Sequence, residues 1–135
     1  MNIERFLAQV KRWAEGQMDI QAVLLVGSHA RGTARMNSDI DLVILTISPL
    51  HYLESISFAN QFGSVSKWEK ENWGRVTSQR VWYQNGLEVE YGIALPDWAS
   101  RPLDPGTRDV VSNGVRIIFD RENARLRPEP AVADR

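Results

Sequence analysis

Two short groups of residues in this 135-residue chain could do chemistry together. Asp39 and Asp41 stand two residues apart where an apolar stretch begins, and Gly27-Ser28 lies just upstream of them. Side chains alternate along a strand, so the two carboxylates would share a face, with their α-carbons about 7 Å apart. Like charges this close raise each other's pKa unless a cation lies between them. A divalent metal suits them, because Mg²⁺ prefers oxygen ligands and commonly takes one or two carboxylates.

The Gly27-Ser28 pair could hold a phosphate beside the carboxylates. Glycine lets the backbone approach a ligand closely, and free N–H groups at the start of a helical turn bind anions, helped here by the serine hydroxyl. Together with the aspartates, this turn predicts a site for a metal–nucleotide complex.

Simpler roles remain open for each of these residues. Asp39 could be a turn residue, Asp41 could pair with Arg31 or Arg35, and Ser28 could be an ordinary helix cap. Arg31 could contact phosphate or only brace the aspartates.

The elements that must position these residues are visible in the hydrophobic pattern. Apolar residues recur at three-to-four spacing over 2–15, which predicts an amphipathic helix. Two short apolar runs, 21–26 and 39–46, predict buried strands on either side of the Gly-Ser turn. Ser48-Pro49 combines a helix cap with a first-turn proline and predicts a helix over 49–62.

A hairpin should follow. Asn85-Gly86 stands between two runs rich in Val, Tyr and Trp, and this dipeptide is typical of a two-residue turn. With that turn, Glu88 would pair with Tyr83 and Glu90 would pair with Val81.

The end of the chain completes an α/β domain. Asp104-Pro105 and Asn113-Gly114 are the expected limits of a short helix, and the run "VRIIF" is the expected last strand. The order of elements predicts a mixed β-sheet flanked by helices in a single minimal domain over residues 1–120. Residues 121–135 have little to bury and are expected to be a flexible tail.

Composition excludes several classes of function. The chain has no cysteine and two histidines, which argues against a thiolate or zinc centre. A net charge of −1 gives no broad attraction to nucleic acid or to anionic membranes. No apolar run has the length of a signal peptide or of a membrane span, so we expect a cytoplasmic protein without membrane contact.

The two motif groups carry a resemblance to a known family. Gly27-Ser28-His29-Ala30-Arg31-Gly32, followed by Ser38-Asp39-Ile40-Asp41, resembles the signature of the DNA polymerase beta-type nucleotidyltransferase superfamily. More narrowly, it is similar to small stand-alone bacterial nucleotidyltransferase domains. The resemblance covers about residues 3 to 95 and implies a nucleotidyltransferase-like fold.

The resemblance also implies a mechanism. The phosphates of a nucleoside triphosphate would lie over Gly27 and Ser28, with Arg31 a further nucleotide-binding candidate. Asp39 and Asp41 would hold one or two Mg²⁺ ions. A third carboxylate on a later strand would share a metal and help to deprotonate the attacking hydroxyl.

Glu88 and Glu90 are the candidates for that third carboxylate. Both lie on one face of the predicted strand in "LEVEYG". A glutamate at the hairpin tip is usually solvated, whereas one further along needs a partner such as a metal. Glu90 is therefore the preferred catalytic and metal-binding candidate, and a register slip of two would transfer the role to Glu88.

The implied activity is a Mg²⁺-dependent adenylyltransferase that moves AMP from ATP to a hydroxyl acceptor and releases pyrophosphate. The acceptor would be a small molecule or a side chain of a helical partner protein. An antitoxin-like or nucleotide-binding module that binds a partner without turnover is the alternative. A template nucleic acid is not expected, because the chain lacks the basic groove that a template requires.

Overall fold

The computed structural model describes residues 3–35, 38–74, 76–99 and 114–121, with the side chain of Ala99 left out. Within these residues, six strands and three α-helices alternate with two short 3₁₀ helices. In chain order the elements are α1 (Ile3–Glu15), β1 (Ile20–Val26), α2 (Gly27–Arg31), β2 (Ile40–Thr46), α3 (Pro49–Leu53), a 3₁₀ helix (Ser57–Phe62), β3 (Val65–Asn72), β4 (Thr77–Tyr83), β5 (Glu88–Ala94), a second 3₁₀ helix (Pro96–Ala99) and β6 (Arg116–Asp120).

The strands form one mixed sheet in the order β3-β4-β5-β2-β1-β6. Only the central β2–β5 pair is parallel, and the other four neighbouring pairs are antiparallel. The predicted mixed sheet with flanking helices is confirmed, and β1, β2, β6 and α1 lie where the hydrophobic pattern predicted them.

The two faces of the sheet are built differently. One face packs against α1, α3 and the first 3₁₀ helix through a large aromatic and aliphatic core. A second, smaller apolar cluster includes Val43, Ala94 and Trp98, with Val26 and Val76 packed against it. Val43 and Ala94 follow the carboxylates of β2 and β5 at intervals of two residues, so this cluster continues the carboxylate face of those strands.

The helix predicted over 49–62 is two pieces. The α-helix α3 ends at Leu53, and a 3₁₀ helix follows from Ser57. The side-chain amide nitrogen of Gln79 donates hydrogen bonds to the carbonyls of Tyr52 and Leu53, at 3.2 and 3.1 Å. A residue of the sheet thus supplies the hydrogen bonds that these carbonyls at the end of α3 would receive in a longer helix. The Ser55 hydroxyl accepts the Ser57 N–H at 3.1 Å, a local bond that competes with continued helix.

The predicted register of the hairpin is wrong by one residue. The loop has three residues, because the Tyr83 N–H donates to the Leu87 carbonyl and the Gly86 N–H donates to the Tyr83 carbonyl. Gly86 has a φ of 93°, as the last residue of such a loop requires. Glu88 consequently pairs with Trp82 rather than with Tyr83.

The same shift moves every later pair. Glu90 pairs with Arg80 rather than with Val81, and Val81 pairs with Val89. Because side chains alternate, a shift of one residue changes which side chains of β4 share a face with the glutamates.

Strand β3 was not predicted. It lies at the edge of the sheet and most of its residues are exposed, so it lacks the alternating apolar pattern of a half-buried strand. The short helix expected between Asp104 and Asn113 lies outside the described residues. So does the tail expected over 121–135, except for Arg121, whose Nε donates to the Ile20 carbonyl at 2.8 Å. No helix in the described ranges is long and apolar enough to cross a membrane.

Candidate functional site

The register of the central strands brings acidic side chains together. Asp41 is the second residue of β2 and pairs with Val26 of β1 on one side and with Glu90 of β5 on the other. Directly opposed residues of neighbouring strands project from the same face. Asp39 precedes β2 by one residue and lies two positions from Asp41.

Asp39, Asp41 and Glu90 converge at this end of the sheet. One carboxylate oxygen from each lies within 4.8 Å of the other two, and all three residues are partly buried. We call these three residues the acid site. Glu88 lies outside this group and contacts Arg80 instead.

Asp41 experiences the strongest electrostatic conflict in the site. Burial, followed by the negative charges of Asp39 and Glu90, raises the pKa of Asp41 from 3.8 to about 7, and Arg80 offsets part of this effect. Within the described ranges, no cationic side chain forms an ion pair with Asp41. A cation placed among the three carboxylates would relieve this repulsion.

Gly27 approaches the carboxylate of Asp41 directly. Its φ is +75°, and a Cβ atom added to it would collide with the Asp41 carboxylate. The glycine is therefore needed for its conformation and for the space it leaves to Asp41. The sequence predicted close approach to a ligand, and the close approach found here is to a carboxylate of the acid site.

Helix α2 begins at Gly27, beside Asp41, and carries Ser28 and Arg31. It spans five residues, and Gly32 ends it in the left-handed region with its N–H bonded to the Ser28 carbonyl. The Ser28 hydroxyl forms no hydrogen bond with the described residues, and the exposed Arg31 forms no ion pair with them. The ring nitrogen Nε2 of His29 lies 3.2 Å from the Ser38 carbonyl oxygen, which ties α2 to the start of β2.

The positive charge beside the acid site comes from Arg80, a residue that the sequence did not single out. Its Nη1 donates to Asp39 at 3.0 Å and to Glu88 at 2.7 Å, and its Nη2 donates to Glu90 at 2.6 Å. Arg31 and Arg35 were possible partners of the aspartates, as the alternative to a metal, and neither side chain forms an ion pair with a described residue. The signal for Arg80 was the length of the hairpin loop, because a three-residue loop sets Arg80 opposite Glu90.

The donor set of the acid site fits a divalent metal. It consists of three carboxylates, which are the ligand type that Mg²⁺ prefers, and burial together with the neighbouring negative charges raises the pKa of Asp41. Asp39, Asp41 and Glu90 are the residues that could hold the ion. Neither a thiolate nor an imidazole belongs to this group.

Comparison with known proteins points to one family. Residues 8–72, which include α2 and both aspartates, match the family model described as Polymerase beta, Nucleotidyltransferase. This match supports a small polymerase beta-type nucleotidyltransferase domain over that part of the chain. The resemblance seen in the sequence is thereby confirmed. No curated protein matches the chain in sequence.

A solved structure resembles the chain in fold, and a second one aligns with it more weakly. An aminoglycoside 6-adenyltransferase from Bacillus subtilis aligns with a TM-score of 0.61 at 14% identity, over 85% of this chain and 40% of that enzyme. A CCA-adding enzyme aligns with a TM-score of 0.47 at 20% identity, over 71% of this chain and 21% of that enzyme. The chain thus spans less than half the length of either protein.

Proposed function

We propose that this domain is a Mg²⁺-dependent nucleotidyltransferase that moves AMP from ATP to a hydroxyl acceptor. The observation that carries the proposal is the convergence of three carboxylate oxygens within 4.8 Å, beside a glycine-serine turn. In the reaction, the acceptor oxygen forms a bond to the α-phosphorus and the bond to the β-phosphate oxygen breaks, so pyrophosphate leaves.

Asp39, Asp41 and Glu90 are the proposed catalytic and metal-binding residues. Bound divalent metal would stabilise the negative charge that develops on the attacking and leaving oxygens. Glu90 lies on the side of the acid site away from α2, because β5 and β1 flank β2 on opposite sides. We therefore assign to Glu90 the role of accepting the proton of the attacking hydroxyl, since the acceptor would then approach from the side opposite the phosphates.

Gly27, Ser28 and Arg31 are the proposed nucleotide-binding residues. Gly27 lies at the end of β1 directly beside Asp41, and the helix that begins there carries Ser28 and Arg31, which supports this assignment. The Ser28 hydroxyl and the exposed Arg31 guanidinium are both uncommitted to other described residues, so both are free to contact phosphate oxygens.

Transfer of label from [α-³²P]ATP tests the proposal. Wild type, Asp41→Asn and the matched control Asp19→Asn are incubated with Mg²⁺ and a panel of acceptors. Asp19 lies at the other end of β2, where its carboxylate bonds hydroxyl groups, and the asparagine oxygen can keep accepting those bonds. Wild type and Asp19→Asn should transfer label, whereas Asp41→Asn should not. Equal transfer by all three proteins would contradict the assigned mechanism.

The acceptor panel separates the two kinds of acceptor. One arm contains small polyhydroxylated molecules, and the other contains helical proteins with exposed tyrosines. The four nucleoside triphosphates are compared in both arms, so the expected preference for ATP is tested at the same time. Binding of a nonhydrolysable ATP analogue with Mg²⁺, without label transfer in any arm, would favour the binding module over the enzyme.

A further inference from the structure

Arg80 forms hydrogen bonds with two of the three carboxylates of the acid site. It donates to Asp39 and Glu90 at 3.0 and 2.6 Å, and its side chain is 19% exposed. Hydrogen bonds between a guanidinium and a carboxylate are charge-assisted and strong. A cation that binds Asp39 and Glu90 must therefore compete with this guanidinium for the same oxygens.

Two further carboxylates, those of Glu88 and Glu71, lie close to the same guanidinium. Glu88 accepts a hydrogen bond from Nη1 at 2.7 Å. Glu71 lies on β3, which flanks β4 on the side away from β5, and its Oε1 is 3.5 Å from the Arg80 Nε. This oxygen is buried and has no hydrogen-bond partner among the described residues. Buried carboxylate oxygens without a donor are costly, so Glu71 is poised to accept an N–H from Arg80.

We propose that Arg80 is a displaceable counter-cation of the acid site, which a divalent metal replaces on Asp39 and Glu90. This inference rests on the metal binding in the proposed function. Arg80 offsets part of the negative charge of the acid site before metal arrives and is a positioning residue. When metal binds, the guanidinium keeps Glu88, and its Nε–H closes the gap to Glu71.

The charges around Arg80 make this exchange feasible. Asp39, Glu71, Glu88 and Glu90 each lie within ion-pair distance of its guanidinium. After Asp39 and Glu90 are released, two carboxylates still surround the cation. The exchange therefore avoids leaving a partly buried charge without a partner, which would otherwise oppose metal binding.

Calorimetric titration with Mn²⁺ alone, without nucleotide, measures the competition. Arg80→Gln should bind Mn²⁺ at least tenfold more tightly than wild type, because the competing guanidinium is gone. Lys67→Gln is the matched control: it removes the same charge from neighbouring β3, where Lys67 lies over the Trp82 ring and 3.6 Å from Glu69. Its affinity should stay within about twofold of wild type, since exposed charges at longer range are screened.

Glu71→Gln provides a second test that does not remove Arg80. A neutral amide is a weaker acceptor for the displaced guanidinium, so this variant should bind Mn²⁺ several-fold more weakly, although Glu71 lies outside the acid site. Thermal unfolding adds a readout without metal titration. Metal-free Arg80→Gln should unfold at a lower temperature than wild type. Saturating Mn²⁺ should raise the midpoint of thermal unfolding by more in Arg80→Gln than in wild type.

The outcomes distinguish this inference from the proposed function. If wild type transfers nucleotide and Arg80→Gln binds Mn²⁺ no more tightly, Arg80 is not a competitor and only the inference fails. Equal tightening by Lys67→Gln would mean a general charge effect and would likewise overturn it. If neither wild type nor Arg80→Gln binds Mn²⁺, the metal site fails and both proposals fall.

Discussion

The two ends of the β1–β2 pair each hold an aspartate, and the two carboxylates have opposite surroundings. We call the end where Ile20 pairs with Thr46 the far end, and the end where Val26 pairs with Asp41 the near end. Just beyond the far end, Asp19 Oδ2 accepts hydrogen bonds from the Thr46 hydroxyl at 2.6 Å and the Tyr52 hydroxyl at 2.7 Å. Burial, with Asp19 adding to it, raises the pKa of Tyr52, so its hydroxyl remains a donor. At the near end, Asp41 faces Asp39 and Glu90 and has its pKa raised to about 7.

This difference separates a structural carboxylate from a candidate functional one. The donors around Asp19 satisfy its charge within the fold, so its contribution is to stability. Among the described residues, burial and the two nearest carboxylates oppose the charge of Asp41, and Arg80 offsets only part of this effect, so a cation bound from outside the chain would stabilise it. Local conflict of this kind is typical of binding and catalytic sites, where the fold gives up stability for function.

The largest expected effect comes from Asp41→Asn, which should separate activity from stability. Nucleotidyl transfer should fall on the order of 10³-fold, because several kcal/mol of transition-state stabilisation depend on metal held by this residue. Stability at pH 8 should stay the same or rise, because one of three mutually repelling charges is removed. Label transfer and chemical denaturation check the two parts. A variant that loses stability along with activity would make Asp41 resemble Asp19.

Asp19→Ala should have the converse effect. The hydroxyls of Thr46 and Tyr52, in fully buried residues, would lose their acceptor, which we expect to lower the free energy of unfolding by about 2–4 kcal/mol. Transfer per folded molecule should be unchanged. Urea denaturation measures the loss, and Asp19→Asn serves as the conservative control with a smaller effect. Unchanged stability in the alanine variant would remove the distinction between the two ends.

Gly27→Ala should disturb the acid site at the near end of the β1–β2 pair and leave the surroundings of Asp19 unchanged. The positive φ and the contact with Asp41 predict a loss of about 1–3 kcal/mol of stability. Displacement of the Asp41 carboxylate should also weaken Mn²⁺ binding. Gly32→Ala is the matched control, because Gly32 has the same φ of 75° and open space where the Cβ would stand. Both variants should be strained, but only Gly27→Ala should change metal affinity.

The stability of the chain should depend on pH through Asp41. Between about pH 4 and pH 7 the folded chain keeps a proton on Asp41 that the unfolded chain has lost, since the pKa is about 7 in the fold and 3.8 outside it. The free energy of unfolding should therefore fall as pH rises through this interval, and Asp41→Asn should abolish that component.

Metal binding should show the opposite trend with pH. Mn²⁺ requires the deprotonated carboxylate, so its affinity should rise about tenfold per pH unit below pH 7 and level off above. Calorimetry at pH 5, 6, 7 and 8 measures this. A flat profile would mean that Asp41 is not a ligand.

The sequence predicted the elements whose burial leaves a periodic pattern. The amphipathic helix α1, the apolar strands β1 and β2 and the last strand β6 were all found, because each packs an apolar face into a core. Strand β3 has no such face, and the end of α3 depends on Gln79, which lies 26 residues away in sequence from Leu53. A contact between residues so far apart in sequence leaves no periodic hydrophobic pattern from which it could be predicted.

For the candidate site, the predicted grouping of Asp39, Asp41 and Glu90 is present in the structure, while their catalytic roles stay predictions. The choice of Glu90 over Glu88 came from its place further from the tip of the predicted hairpin, with the resemblance in support. The network around Arg80 was missed because the dipeptide Asn85-Gly86 fits both a two-residue and a three-residue loop. Hydrogen bonds of the neighbouring backbone decide between the two.

That loop has a further consequence for how the chain tolerates changes in length. Deleting one residue between Tyr83 and Leu87 would shift the register of β4 against β5 by one residue. Arg80 would then face the aromatic core, and Val81 would lie next to the carboxylates. Substitutions at the same exposed tip would leave that pairing intact. The number of residues in a surface turn, more than their identity, thus governs which charge stands beside the acids.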